Sequence, residues 1–303
     1  MTVVYYLGLF FCNAVTTFSL QKYGKAMRNK NDIFIYALTT GIMSMLFFWI
    51  TSGFSIVLNG KTVFYSVVLT VTSILSYFTQ LLVYKYMGVA EVSVITTGGK
   101  LLFSSVAGII LFSEKVGLVS VLRIALMLLS VLLLFLQNCK ISKGKEKHKS
   151  VRAQSLFSFG LLLCLLIICI GVVSTVVSKY IAIDTNVTSS NSLFFFTNFL
   201  ISCFSVASLL FGSRCHHKKF ISIIRSVSFK QYLTIITKTV AGSFSSVLGI
   251  LILAEGDVSL YVPLSNALGL LATQAVAVVI LRERPLILPL IPAILSMLLA
   301  FYG

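Results

Sequence analysis

Negative charge is scarce in this chain. Its 303 residues include 8 Asp and Glu against 24 Lys and Arg; only 11% are charged at all, whereas 58% are hydrophobic. Soluble domains carry roughly 25% charged residues, so the balance excludes that class and points to an integral membrane protein. All eight carboxylates (Asp32, Glu91, Glu114, Glu146, Asp184, Glu255, Asp257 and Glu283) fall in loops or at the ends of apolar runs. The three histidines, His148, His216 and His217, also fall in polar loops. A membrane-embedded transferase would need such groups within reach of its substrate, and no Ser/His/Asp set can be assembled inside the apolar segments. The six cysteines include no C-x-x-C spacing, and no G-x-x-x-x-G-K-[ST] phosphate loop occurs. Cys215-His216-His217 reads as a polar loop rather than a metal site. The expectation is therefore a protein that is no enzyme, holds no metal or other cofactor, and has no ATP machinery.

Long apolar runs are what the chain has in quantity. A spanning helix needs about 20 mostly apolar residues, and ten runs of that kind lie near 3–22, 33–54, 62–84, 90–112, 117–137, 156–178, 190–211, 231–253, 259–280 and 285–303. They are continuous rather than alternating in short segments, which argues against a β-barrel. No basic stretch precedes the first run, and that run reaches spanning length, so it reads as a helix and not as a secretory signal. The expected fold class is an all-α, ten-helix, multi-pass protein of a plasma or inner membrane.

The net charge of +16 invites a nucleic-acid reading, but the positions of the charges argue for topology instead. Lys22, Lys25, Arg28, Lys30, Lys85, Lys140, Lys143, Lys145, Lys147, Lys149, Arg152, Arg214, Lys218, Lys219, Arg225, Lys230, Arg282 and Arg284 all fall on one side of ten crossings, against Lys61, Lys115 and Lys179 on the other. The positive-inside rule makes the basic side cytoplasmic and both termini external. On the external side Asn186-Val187-Thr188 is a glycosylation sequon. No nucleic-acid partner is expected. The expected partners are a small-molecule substrate and the lipid bilayer, with a homodimer left open.

The chain also repeats itself. Residues 98–136, GGKLLFSSVAGIILFSEKVGLVSVLRIALMLLSVLLLFL, parallel 267–303, ALGLLATQAVAVVILRERPLILPLIPAILSMLLAFYG: a helix of small residues, a charged turn with Glu, then an apolar helix. A shift of 169 superposes Glu114 on Glu283 and Ser104 on Thr273. The halves are 1–137 and 156–303, joined by a basic cytoplasmic linker at 138–155. With five helices each, they cross the membrane in opposite senses, the plan of inverted-repeat secondary transporters.

Three cations lie inside the runs: Lys100, Arg123 and Lys238. Arg123 and Lys238 are each about two turns from an end, close enough for Arg123 to snorkel, while Lys238 can either snorkel or line a cavity. Lys100 stands about 15 Å from both ends of its run at 1.5 Å per residue. Ser93, Thr97, Lys100 and Ser104 share one helical face, matched by Asn266, Gly269 and Thr273 in the ninth run, with Gln274 beside them. Ser73, Tyr77, Gln80 and Tyr84 form a similar stripe in the third. A lysine at a helix centre costs roughly 2.5–3.5 kcal/mol on insertion scales, and such residues face a bundle interior or a water-filled cavity. The expected substrate-binding set is Lys100, Thr97, Ser93, Ser104, Tyr77, Gln80, Asn266, Thr273 and Lys238. Most of the other Ser and Thr hydroxyls are expected to bond back to their own helices, and Gly98 and Gly99 to permit a close helix crossing.

The stretch TTGGKLLFSSVAGIILFSEKVGLVSVLRIALMLLSVLLLF resembles the fourth and fifth helices of the drug/metabolite transporter superfamily, in its EamA-like branch. The turn Ser113-Glu114-Lys115, repeated as Arg282-Glu283-Arg284, is similar to that branch's Gly-Glu-Arg-like turn. A more distant resemblance links Lys100 to nucleotide-sugar transporters, whose lysine follows a Gln-Leu pair where this chain has Gly98-Gly99. The resemblance implies a 5+5 fold, a central cavity lined by runs 1, 3, 4, 6, 8 and 9, and alternating access. Leu101 stands where the family commonly has proline, and family members usually have cytoplasmic termini. The function expected is secondary transport of a small polar metabolite, with Lys100 favouring an anionic one; the alternatives are a flippase for a phosphorylated lipid carrier or a membrane-embedded transferase.

Overall fold

The computed structural model describes residues 2–27, 29, 31–112, 117–119, 121, 122, 125, 126, 128–130, 132, 133, 136, 151–183, 190–212, 217–255, 268–282 and 287–299. These are helical throughout apart from turns, with no strand among them. In chain order the helices are α1 (Thr2–Ala26), α2 (Asn31–Thr51), α3 (Gly60–Val83), α4 (Val89–Phe112), α5 (Val151–Ile183), α6 (Ser190–Gly212), α7 (His217–Ser226), α8 (Phe229–Glu255), α9 (Leu268–Ile280) and α10 (Ile287–Leu298). The described residues between 118 and 136 are helical as well. Four of these helices are long and apolar enough to cross a membrane: Asn31–Thr51, Gly60–Val83, Ser158–Val177 within α5, and Ser190–Gly212. Their outward residues are large and apolar, as at Phe64 and Phe211, so the chain is all-α and of a kind compatible with a multi-pass membrane protein.

Local chemistry sets the helix starts. At α2 the Asp32 carboxylate accepts the backbone N–H of Asn29 at 3.0 Å. The N–H and hydroxyl of Thr62 both donate to Asn59 Oδ1 at 2.8 Å, capping α3. Ser228 and Gln231 form a reciprocal capping box at α8, with Ser228 N–H donating to Gln231 Oε1 at 2.9 Å and Gln231 N–H to Ser228 Oγ at 3.4 Å. α9 closes in a π-helical turn, Val276–Ile280, after which Arg282 takes a left-handed conformation with φ 54°. That strained residue opens the Arg282-Glu283-Arg284 sequence; Glu283, Arg284 and the whole of Ser113-Glu114-Lys115 lie outside the described residues, as do Arg123, Asn266 and the sequon at Asn186.

Two differences from the sequence expectation have simple causes. α5 begins at Val151 and ends at Ile183, longer than the apolar run at 156–178, because Arg152 and Gln154 are good helix formers that hydropathy does not count. α7 lies in what reads as a polar loop. Its apolar residues follow a helical spacing, and Ile223 packs on Ile35, Leu209 and Val227 while Tyr232 Oη donates to the Ile224 carbonyl at 2.8 Å.

By packing, the chain divides into two compact units: Met1–Ala14, Leu82–Val172 and Ser245–Gly303 form the first, Val15–Leu81 and Val173–Phe244 the second. Each unit draws on both halves of the sequence. In the first, α4 and α5 run parallel, with Met87 against Gly160, Gly99 against Ile168 and Lys100 against Gly171. In the same unit α1 and the end of α8 run antiparallel, Gly8 meeting Leu248 and Asn13 meeting Ser245.

In the second unit α2 packs along α6 in the opposite sense, Phe48 stacking on Phe194 with ring centroids 5.1 Å apart and Gly41 admitting Ser202. α2 runs parallel to α8: Thr40 Oγ1 is 3.4 Å from Thr239 Oγ1, and one turn on Ser44 Oγ is 3.3 Å from Ser243 Oγ. α3 runs parallel to α6, the Ser66 and Thr70 hydroxyls donating to the carbonyls of Leu193 and Thr197 at 3.3 and 3.2 Å.

Candidate functional site

The second unit brings Lys238 of α8 onto two tyrosines. Its Nζ stands 5.3 Å from the ring centroid of Tyr36 on α2 and 5.2 Å from that of Tyr77 on α3. The two rings meet edge to face at 5.4 Å, and Tyr23 on α1 adds a third ring 5.3 Å from Tyr36. An ammonium within about 6 Å of an aromatic centroid is attracted by the ring's quadrupole, the more so where water is excluded. Lys238 therefore turns into the helix packing instead of snorkelling towards the nearer end of α8. Tyr36 is wholly buried, while Tyr77 and Lys238 are half-buried. No hydrogen bond or ion pair to Lys238 or Lys100 is found among the described residues.

Tyr36 is the residue that sequence reasoning missed. The signal was present: Tyr36, Thr40 and Ser44 recur every four residues on α2, and Thr239 and Ser243 do so on α8. Those stripes mark a polar seam between two otherwise apolar helices. Ile235, fully buried, occupies the next position of the α8 stripe.

Lys100 lies in the first unit, half-buried, with its side chain laid across Gly171 of α5. A Cβ at position 171 would overlap Lys100 Cε and lie 2.9 Å from its Cδ. Next door, a Cβ at Gly99 would overlap Ile168. Gly99 does mark a close crossing, and a glycine on the opposing helix makes room for the lysine stem. Its neighbours along the stripe diverge in role. Ser93 is buried and accepts a hydrogen bond from Gln274 Nε2 of α9 at 3.1 Å. Thr97 is half-buried, and the side chain of Ser104 lies outside the described residues.

Among the remaining expected site residues, Gln80 Nε2 donates to Ser76 Oγ on its own helix at 2.8 Å, and Thr273 Oγ1 donates to the Gly269 carbonyl at 2.6 Å. Thr72, Thr79, Thr96, Thr197, Ser202, Ser205, Thr234 and Thr237 bond back in the same way, the usual fate of a hydroxyl in an apolar helix. The structure thus brings Tyr77 and Lys238 together in one unit and pairs Ser93 with Gln274 in the other. No group of three or more His, Cys, Asp or Glu among the described residues is placed to hold a metal ion. No protein-family model matches the chain, and no curated protein matches its sequence.

Proposed function

We propose that the chain is a secondary transporter that carries a small polar metabolite bearing an anionic group across a membrane by alternating access. The observation that carries this reading is Lys238, held inside a helix bundle on two tyrosine rings with no ion pair among the described residues. A cation so placed is costly, and intramembrane cations typically mark a substrate or ion path. Lys100, seated across Gly171 in the other unit, is a second instance. The reading includes no catalytic step and keeps the resemblance to the drug/metabolite transporter superfamily, with ten spanning helices in two inverted repeats of five.

The helix senses are consistent with alternate crossings over the first eight runs. Numbered as the ten apolar runs, the parallel neighbours are runs 2 and 8, runs 3 and 7, and runs 4 and 6. The antiparallel neighbours are runs 2 and 7 and runs 1 and 8. Like parity goes with parallel and unlike parity with antiparallel, which is what alternate crossings require. A run that failed to cross would reverse the sense of every later helix against the earlier ones. The same reading puts the basic loops on the cytoplasmic side and both termini outside.

Counterflow into liposomes reconstituted with the purified protein tests the proposal. Preloading with a carboxylated or phosphorylated metabolite is expected to give saturable uptake of the same labelled compound, reduced in Lys100→Ala and in Lys238→Met. Uptake that never saturates would indicate a channel, and turnover of the compound without its movement would indicate an enzyme. Either result rejects the carrier.

A further inference from the structure

A lysine buried among helices is ordinarily matched by a carboxylate. Here the matching groups are two aromatic rings. They satisfy part of the charge of Lys238 but accept none of its three N–H bonds, since ring attraction is to the face and not to a lone pair. Beside it, Tyr36 is 0% exposed, and its hydroxyl makes no well-formed hydrogen bond among the described residues, its polar neighbour being the Thr40 hydroxyl one turn along α2. A buried hydroxyl left in that state forfeits the hydrogen bond it would make in water. The site therefore holds an ammonium and a buried hydroxyl side by side, with no carboxylate paired to the ammonium among the described residues.

Of the hydroxyls one turn along the seam, that of Thr40 neighbours the Tyr36 hydroxyl without a well-formed hydrogen bond to it and lies 3.4 Å from Thr239 Oγ1. Thr239 Oγ1 bonds back to the Ile235 carbonyl at 2.8 Å, and Ser44 and Ser243 face each other. Lys238 and Tyr77 are half-buried, whereas Tyr36 is wholly buried.

We infer that Lys238, Tyr36 and Tyr77 form a binding site for a carboxylate or phosphate group, in which Lys238 Nζ and Tyr36 Oη both donate to the anion. Tyr77 keeps the ammonium oriented through its ring and is a positioning residue. Charge-assisted hydrogen bonds of this kind are about 2.7–2.9 Å long and roughly twice as strong as neutral ones, so an anion displaces the weaker ring contact without leaving the lysine unpaired. The inference rests on the transport reading for its biological sense, but the site is defined by binding alone. Lys238 and Tyr77 were legible as polar residues of separate runs; the role of Tyr36 comes from its burial and its unmade bond.

Equilibrium titration of the purified full-length protein tests the site. The probes are inorganic phosphate and succinate, added to protein in neutral phosphatidylcholine nanodiscs, and phosphatidic acid incorporated into the same nanodiscs. Saturable binding of phosphate or succinate is expected for a soluble ligand, and thermal stabilisation by phosphatidic acid alone for a lipid headgroup; both support the site. In either arm Lys238→Met weakens binding about tenfold or more, and Tyr36→Phe, which keeps the ring and removes only the hydroxyl, about threefold to tenfold. Lys238→Arg retains the charge and binding within about threefold, which guards against a folding defect in the methionine variant. Binding of none of the three probes, or wild-type affinity in Tyr36→Phe and Lys238→Met, overturns the assignment. Saturable counterflow with unaltered Tyr36→Phe kinetics would remove this site and leave the carrier. Anion binding lost in Tyr36→Phe, in a protein without counterflow, would remove the carrier and leave the site.

Discussion

The side chain of Lys100 occupies the space that a methyl group on Gly171 would need. The lysine is therefore admitted to its helix interface by the absence of a single Cβ on the neighbouring helix. Gly171→Ala is expected to destabilise the protein by no more than about 1 kcal/mol, since the far end of a flexible lysine can shift and alanine is the better helix former, read as a slightly lower unfolding midpoint in detergent. Adding Lys100→Ala should return much of that loss, because the two substitutions compete for one volume. Strict additivity in the double variant would show that the contact is not limiting.

Gly41 offers a contrasting case. A Cβ there would overlap Ser202 Oγ and lie 3.0 Å from the carbonyl oxygen of Asn198. The hydroxyl can be removed, but the carbonyl belongs to the backbone of α6. Gly41→Ala is expected to cost about 1–3 kcal/mol, with Ser202→Ala relieving only part of it. Complete rescue in thermal unfolding would argue that α6 shifts freely.

Along the α2–α8 seam, Ser44 and Ser243 are both buried and 3.3 Å apart. Interhelical hydrogen bonds in membrane proteins average about 0.6 kcal/mol in double-mutant cycles, and a coupling of that order is expected between Ser44→Ala and Ser243→Ala. A coupling near zero would mean that the hydroxyls are neighbours without being partners.

Lys61 and Lys85 are exposed at opposite ends of α3. In a variant stripped of its native cysteines, Lys61→Cys and Lys85→Cys should react with an impermeant maleimide from opposite sides of the membrane. Lys85→Cys is expected to react from the cytoplasmic side. Labelling of both from one side would contradict the crossing of this helix and the orientation drawn from the basic loops.

Part of the architecture is legible in the sequence alone. Uninterrupted apolar residues identify α2, α3 and α6 because a spanning helix must be apolar around most of its circumference, and the observed bounds fall within a few residues of the runs. α7 was not readable that way, since Lys218, Lys219 and Arg225 lower the average over a segment whose apolar residues are merely periodic. Lys100, Lys238 and Tyr77 stood out as polar residues in apolar surroundings. Tyr36 did not, because an aromatic residue in an apolar run is unremarkable until its hydroxyl is found buried beside an ammonium, with no well-formed hydrogen bond among the described residues.

Composition and run length determined that this chain is helical and suited to a bilayer, since both depend only on the free energy of moving each side chain out of water. Neighbour relations depended on tertiary structure. Which lysine meets rings and which meets glycine follows from the sense and rotation of helices distant in sequence, Lys238 against Tyr36 and Lys100 against Gly171. A hydropathy pattern is nearly unchanged when a helix turns about its axis, whereas a contact is lost within a fraction of a turn.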